Sequence, residues 1–148
     1  MTAGPKRYRV LIAEDNPDHV ALIQIAFARL DTNARIYVTR SAEEAIAFLE
    51  GPWPDTDYGR SHLPDLIVLD ISMPGIGGLG FLEWSSERSL SSEIPVVVLS
   101  SAGDSDIGRQ CLALGAREFK QKPTDFRELV PIVQRVLDEW DPEASGVG

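Results

Sequence analysis

Short apolar runs alternate with stretches of helical period along the whole chain. Five runs read as strands: residues 8–15 (YRVLIAED), 34–39 (ARIYVT), 65–70 (DLIVLD), 94–100 (IPVVVLS) and 118–122 (EFKQK). Between them lie five helical patterns. The first follows Asn16 as a cap, with Pro17 at the first helical position, and sets Val20, Ile23, Phe27 and Leu30 on one face. The second follows Ser41, with Glu44 three residues on as a capping box, and buries Ala42, Ala45, Ile46 and Leu49. The third runs from about Gly78 to Ser89, with Ser85 where an apolar residue is expected. The fourth carries Ile107, Cys111 and Leu114 and stops at Gly115. The last follows Thr124 and places Phe126, Leu129, Val130, Val133, Val136, Leu137 and Trp140 on one stripe. Pro131 falls inside that stripe, so the helix is either kinked there or shorter than the stripe.

Strands that alternate with helices form a parallel sheet covered on both faces. Strands one, three and four are continuously apolar, as central parallel strands are. Strands two and five carry Arg35, Lys120 and Gln121 and suit the edges. The expectation is an α/β, doubly wound five-stranded sheet of order 2-1-3-4-5, the flavodoxin-like arrangement. Its ligands bind beyond the carboxyl ends of the strands, where the winding reverses between strands one and three. One domain is expected over residues 8–140, with an N-terminal extension at 1–7 and a C-terminal tail at 141–148 (DPEASGVG). Nothing repeats internally.

Composition narrows this only a little. A net charge of -9 with no large basic cluster argues against direct nucleic-acid binding and favours a cation or a cationic partner surface. No apolar run approaches the roughly 20 residues of a membrane span, and the basic start MTAGPKRYR does not lead into a signal peptide. The single cysteine, Cys111, cannot close an internal disulfide, which suits a cytoplasmic protein, and it reads as helix core. His19 and His62 lack metal-ligand companions at suitable spacing and read as surface residues, although His19 lies one turn into the first helix, near enough to the acidic pair to influence chemistry there.

The chemistry gathers at the strand ends. Strand one ends on Glu14 and Asp15, strand three on Asp70, strand four on Ser100 and Ser101, and strand five on Lys122 before Pro123. In the expected fold these residues meet in one crevice. Two carboxylates about 5 Å apart repel by about 3 kcal/mol at an effective dielectric of 20, so three of them need more than one lysine. Oxygen-only ligands around that deficit suit Mg²⁺.

These residues bring a family into view. IAEDNP, LIVLDISMPGIGG, PVVVLSSA and FKQKP resemble, in order, the acidic pair, the phosphoacceptor strand and loop, the switch strand and the terminal lysine-proline of response regulator receiver domains, the CheY-like family. The resemblance covers residues 8 to about 140. It implies that Asp70 accepts a phosphoryl group from the phosphohistidine of a sensor histidine kinase. It further implies that Asp15, Glu14 (largely through water), Asp70 and the backbone carbonyl of Ser72 hold Mg²⁺. Lys122 and the Ser100 hydroxyl would bind phosphoryl oxygens, and Phe119 takes the place of the switch aromatic. Because that residue is Phe and not the frequent Tyr, no phenol hydrogen bond can carry its signal.

Other functions fit less well. A haloacid-dehalogenase-like Mg²⁺-dependent phosphatase needs a second Asp two residues after the first, where this chain has Ser72. A flavodoxin must cradle phosphate in its first loop, and EDNPD would repel it. A domain unable to be phosphorylated would be expected to lack Asp70 or Lys122. The resemblance leads us to expect a signalling domain and not a true enzyme, one acting only on its own phosphate. With no DNA-binding or catalytic segment in the sequence, output would pass through protein contacts. These are docking on a target, relay to a histidine phosphotransfer protein, or pairing of two copies through helix 4, strand 5 and helix 5. The connection at 51–65 (GPWPDTDYGRSHLPD), EDNPDHV and the fifth helix ending in Trp140 together resemble a stand-alone subgroup paired with bacterial phytochrome-type kinases, and the connection reads equally well as a plain surface loop.

Overall fold

A computed structural model describes residues 8–29, 34–51, 63–90, 93–100 and 105–140. The expected terminal segments, Ser101, Leu30 and most of the 51–65 connection lie outside the described residues. Strands β1 (Tyr8–Ala13), β2 (Ala34–Thr39), β3 (Leu66–Asp70), β4 (Val96–Ser100) and β5 (Glu118–Gln121) alternate with helices α1 (Pro17–Arg29), α2 (Ala42–Glu50), α3 (Gly77–Glu87), α4 (Ser105–Ala113) and α5 (Leu129–Trp140). All four strand pairings are parallel, and the order is β2-β1-β3-β4-β5. The three apolar runs are the three central strands, as their composition requires.

The pleat divides the core into two layers. Val10, Ile12, Leu66, Val68, Val97 and Leu99 face Ile23 and Phe27 of α1 and Leu129, Val133 and Leu137 of α5. Leu11, Ala13, Ile67, Leu69, Val96 and Val98 face the other way, against Ala42, Ala45 and Leu49 of α2, Phe81 and Leu82 of α3, and Cys111 of α4. Carried one residue past Ala13 and Leu69, which pair in register, this alternation sends Glu14 and Asp70 out on the same side. Sheet register, not sequence proximity, makes them neighbours.

Several local readings change. β1 ends at Ala13, and the Glu14 N–H that follows donates to the Thr39 carbonyl at the end of β2 (2.9 Å). Ala26 joins Ile23 and Phe27 in the buried face of α1. The capping box of α2 is half formed. Ser41 Oγ accepts the Glu44 N–H (3.0 Å), but the Glu44 carboxylate reaches the Arg40 N–H (3.4 Å) and not that of Ser41. Ser85 is fully buried in α3 and remains satisfied by donating its hydroxyl to the Leu82 carbonyl (3.0 Å), so its place in the core leaves no polar atom stranded. The final helix resolves in favour of the shorter form. A 3-10 turn (Phe126–Glu128) precedes it, capped by Asp125, whose side chain accepts the Arg127 N–H, and not by Thr124. Pro131 is then the third residue of α5, in the first turn, where a missing N–H breaks no intrahelical bond. Among the described residues no helix is long and apolar enough to cross a membrane.

Candidate phosphoacceptor site

Each site residue is mounted on a strand end or the turn after it. Glu14 and Asp15 link β1 to α1. Asn16 then caps α1, its Oδ1 accepting the N–H groups of Asp18 (2.9 Å) and His19 (3.3 Å). Asp70 is the last residue of β3 and Ser100 the last of β4, both buried. Lys122 follows β5, and its backbone N–H donates to the Ser100 carbonyl (2.7 Å), which fixes where its side chain starts.

The Lys122 ammonium lies between two buried carboxylates. Its Nζ is 2.6 Å from Glu14 Oε1 and 3.2 Å from Asp70 Oδ2, with the three side chains 9%, 2% and 6% exposed. The other oxygens are also engaged. Glu14 Oε2 accepts the Asn16 N–H (3.1 Å), and Asp70 Oδ1 accepts the Ser72 N–H (3.0 Å). Burial holds the Glu14 carboxyl above the usual carboxylate range, with the Lys122 and Asn16 hydrogen bonds only partly offsetting that cost. Asp15 is exposed, yet a carboxylate oxygen from each of Glu14, Asp15 and Asp70 lies within 4.8 Å of the other two. Three acids against one lysine leave excess negative charge around an oxygen-only donor set. That is the chemistry of a hard divalent cation site, and these residues fit one.

A scan of known families decides the relationship, because residues 10–134 match the response regulator receiver domain. The chain belongs to that family. Among curated relatives, the receiver domain is 31% identical to the probable methanogenesis regulatory protein FilR2 of Methanothrix harundinacea, over 88% of this chain and 82% of that one. It is 27% identical to the phosphate regulon transcriptional regulatory protein PhoB of Escherichia coli, over 92% of this chain but only 54% of PhoB. Among solved structures it resembles the phosphorylated cyanobacterial phytochrome response regulator RcpA (27% identity, TM-score 0.72, 91% and 94% of the two chains). It also resembles the Mn²⁺-bound form of response regulator Rcp1 (25% identity, TM-score 0.70, 90% and 94%). This is a receiver domain of a two-component response regulator.

The remaining predicted residues fall around this centre to different degrees. Ser72 sits on the exposed turn after Asp70, and Phe119 is half-buried on β5, paired in register with Val98. His19 is not a plain surface residue. Its Nδ1 is buried without a hydrogen-bond partner, 3.7 Å from Glu14 Oε2, and its ring packs on Phe126 (5.4 Å between centroids). His62 lies outside the described residues. Two contacts had no signal in the chain. One is the Thr39 carbonyl that anchors Glu14. The other is Glu43, an ordinary first-turn acid by position, whose carboxylate reaches the Ile76 N–H (3.3 Å) beyond the Asp70 turn.

Proposed function

We propose that this receiver domain takes a phosphoryl group from the phosphohistidine of a sensor histidine kinase onto Asp70. A carboxylate oxygen of Asp70 forms the new O–P bond as the P–N bond breaks, and the electron pair returns to the imidazole nitrogen, which takes up a proton. Phosphoryl transfer demands chiefly positioning and charge neutralisation. The observation that carries the reading is the Lys122 ammonium held by both Glu14 and Asp70, from strands far apart in the chain. Such an arrangement places a positive charge beside the attacking oxygen before any donor arrives. Glu14, Asp15, Asp70 and the Ser72 carbonyl would hold Mg²⁺, which when bound neutralises charge on the phosphoryl oxygens. Ser100 and Lys122 would bond those oxygens, and Phe119 would respond to the Ser100 hydroxyl.

RcpA is a phytochrome response regulator, which supports a phytochrome-type kinase as the partner. Leu22 and Ile25, each about half exposed on α1, the helix that follows Glu14 and Asp15, give such a partner an apolar face to bind. The α4–β5–α5 surface, where Leu112 of α4 is half exposed, is the face expected to change and to pair with a target or a second copy. The test is incubation with acetyl phosphate and Mg²⁺, which should add one acid-stable, base-labile phosphate per chain. Asp70→Asn should gain none, and labelling of that variant at the wild-type rate would remove the assignment. A phosphotransfer profile against histidine kinases then names the partner.

A further inference from the structure

The turn after Asp70 has an unusual backbone. Gly75 and Gly77 both have positive φ (80° and 69°), while Ile76 between them is in the right-handed helical region (φ -70°, ψ -16°). Alternation of this kind turns successive N–H groups toward one side and makes a small anion-binding concavity. Ile76 is also the N-cap of α3, and its apolar side chain supplies no capping bond. An acceptor for the N-cap's own N–H comes from another element. Glu43, in the first turn of α2, accepts the Ile76 N–H through Oε2 at 3.3 Å. The same carboxylate fills the space over Gly75, where a Cβ would overlap Oε2 and lie 2.8 Å from Oε1. Gly75 is required by its φ, and a Cβ there would also displace the Glu43 carboxylate seated on it.

This contact ties together the two mounts of the site. α2 follows Thr39, whose carbonyl holds the Glu14 N–H, and Glu43 holds the turn that leads away from Asp70 and Ser72. We infer that Glu43 is a positioning residue: by closing the Gly75–Ile76 concavity it fixes the turn that presents the Ser72 carbonyl to the cation. The inference rests on the phosphoacceptor reading above and adds the residue that sets the geometry of its metal-binding turn. Glu43 touches neither the reacting oxygen nor the ammonium in any described contact, so its effect passes through backbone position alone.

The experiment is a Mg²⁺ titration of the full chain followed by amide NMR, at a temperature where every variant is folded, for wild type, Glu43→Gln and Glu43→Ala. Glu43→Ala should bind Mg²⁺ about tenfold more weakly, the lower end of what outer partners of metal ligands contribute. Its Ile76 and Ser72 amides should exchange faster with solvent. Glu43→Gln keeps an amide oxygen for the Ile76 N–H and should recover most of the affinity. Glu43→Ala with wild-type affinity would overturn the inference. So would Glu43→Gln as weak as Glu43→Ala, since the effect would then be one of charge and not of position. Wild-type protein that binds no Mg²⁺ near Asp70 would instead remove the phosphoacceptor reading, and this inference with it.

Discussion

At the level of single residues, Lys122 holds the site together before any ligand arrives. Two carboxylates below a tenth exposed are tolerated because one ammonium reaches both. Removing one member of a buried ion pair typically costs about 3–5 kcal/mol, because the partner charge stays buried without compensation. Lys122→Met should therefore destabilise the metal-free protein by about that amount in urea denaturation. Its Mg²⁺ affinity should be equal to or above wild type, since the ammonium opposes the cation for the same oxygens. Mg²⁺ should restore much of the lost stability, while Asp70 is labelled more slowly by acetyl phosphate. Weaker Mg²⁺ binding in this variant would contradict the placement of the lysine.

At the level of elements, α4 and β5 meet through a glycine. Gly108 is buried within α4, and a Cβ there would come within 2.9 Å of Phe119 Cδ2 and 3.2 Å of Cε2. Alanine would gain about 1 kcal/mol of helix propensity over glycine. It would also push on the Phe119 ring. Gly108→Ala should therefore destabilise the wild type but stabilise a Phe119→Ala background, a reversal of sign that a double-mutant cycle in denaturant would measure. The other side of β5 supports a pH prediction. Arg135 grips Glu118 with two hydrogen bonds (2.7 and 2.8 Å) and holds its carboxyl below the usual range. A depressed folded pKa stabilises the protein above the unfolded value and is lost as pH falls through the folded value. The stability gap between wild type and Arg135→Met should thus be present at neutral pH, begin to narrow below about pH 4.5, the ordinary Glu value, and close as pH falls through the lower folded value. A gap that acid does not narrow at all would assign the effect to packing. Element types were legible because central strands are wholly apolar and the helices carry one apolar stripe. Element ends were legible in part: Asn16 and Ser41 cap their helices as read, but other caps depend on which neighbour a side chain meets. Asp125 outcompetes Thr124, and Glu44 reaches past Ser41 to Arg40. Glu43 was beyond reach for the same reason, since its partner lies on another helix.

At the level of the whole molecule, residue spacing alone does not reveal the site; the fold or the family's motifs must bring its members together. Glu14, Asp70 and Lys122 have no local pattern in common, and each is an ordinary strand-end polar residue until the 2-1-3-4-5 order places the strand ends side by side. The acids then become a property of the native state alone, because the unfolded chain scatters them. A ligand that binds only the folded protein stabilises it by about 2.7 kcal/mol at a hundred times its dissociation constant. For a chain of this size each kcal/mol raises the midpoint by about 2–4 °C, so saturating Mg²⁺ should raise the thermal midpoint by about 5–10 °C. Asp15→Ala tests the origin of that shift. Asp15 is exposed and has no described bond to Lys122, so its loss should barely change the metal-free midpoint while removing most of the Mg²⁺-dependent rise. A rise of equal size in Asp15→Ala, followed by scanning calorimetry at matched ionic strength, would place the cation elsewhere on an acidic surface and not among the three strand-end acids.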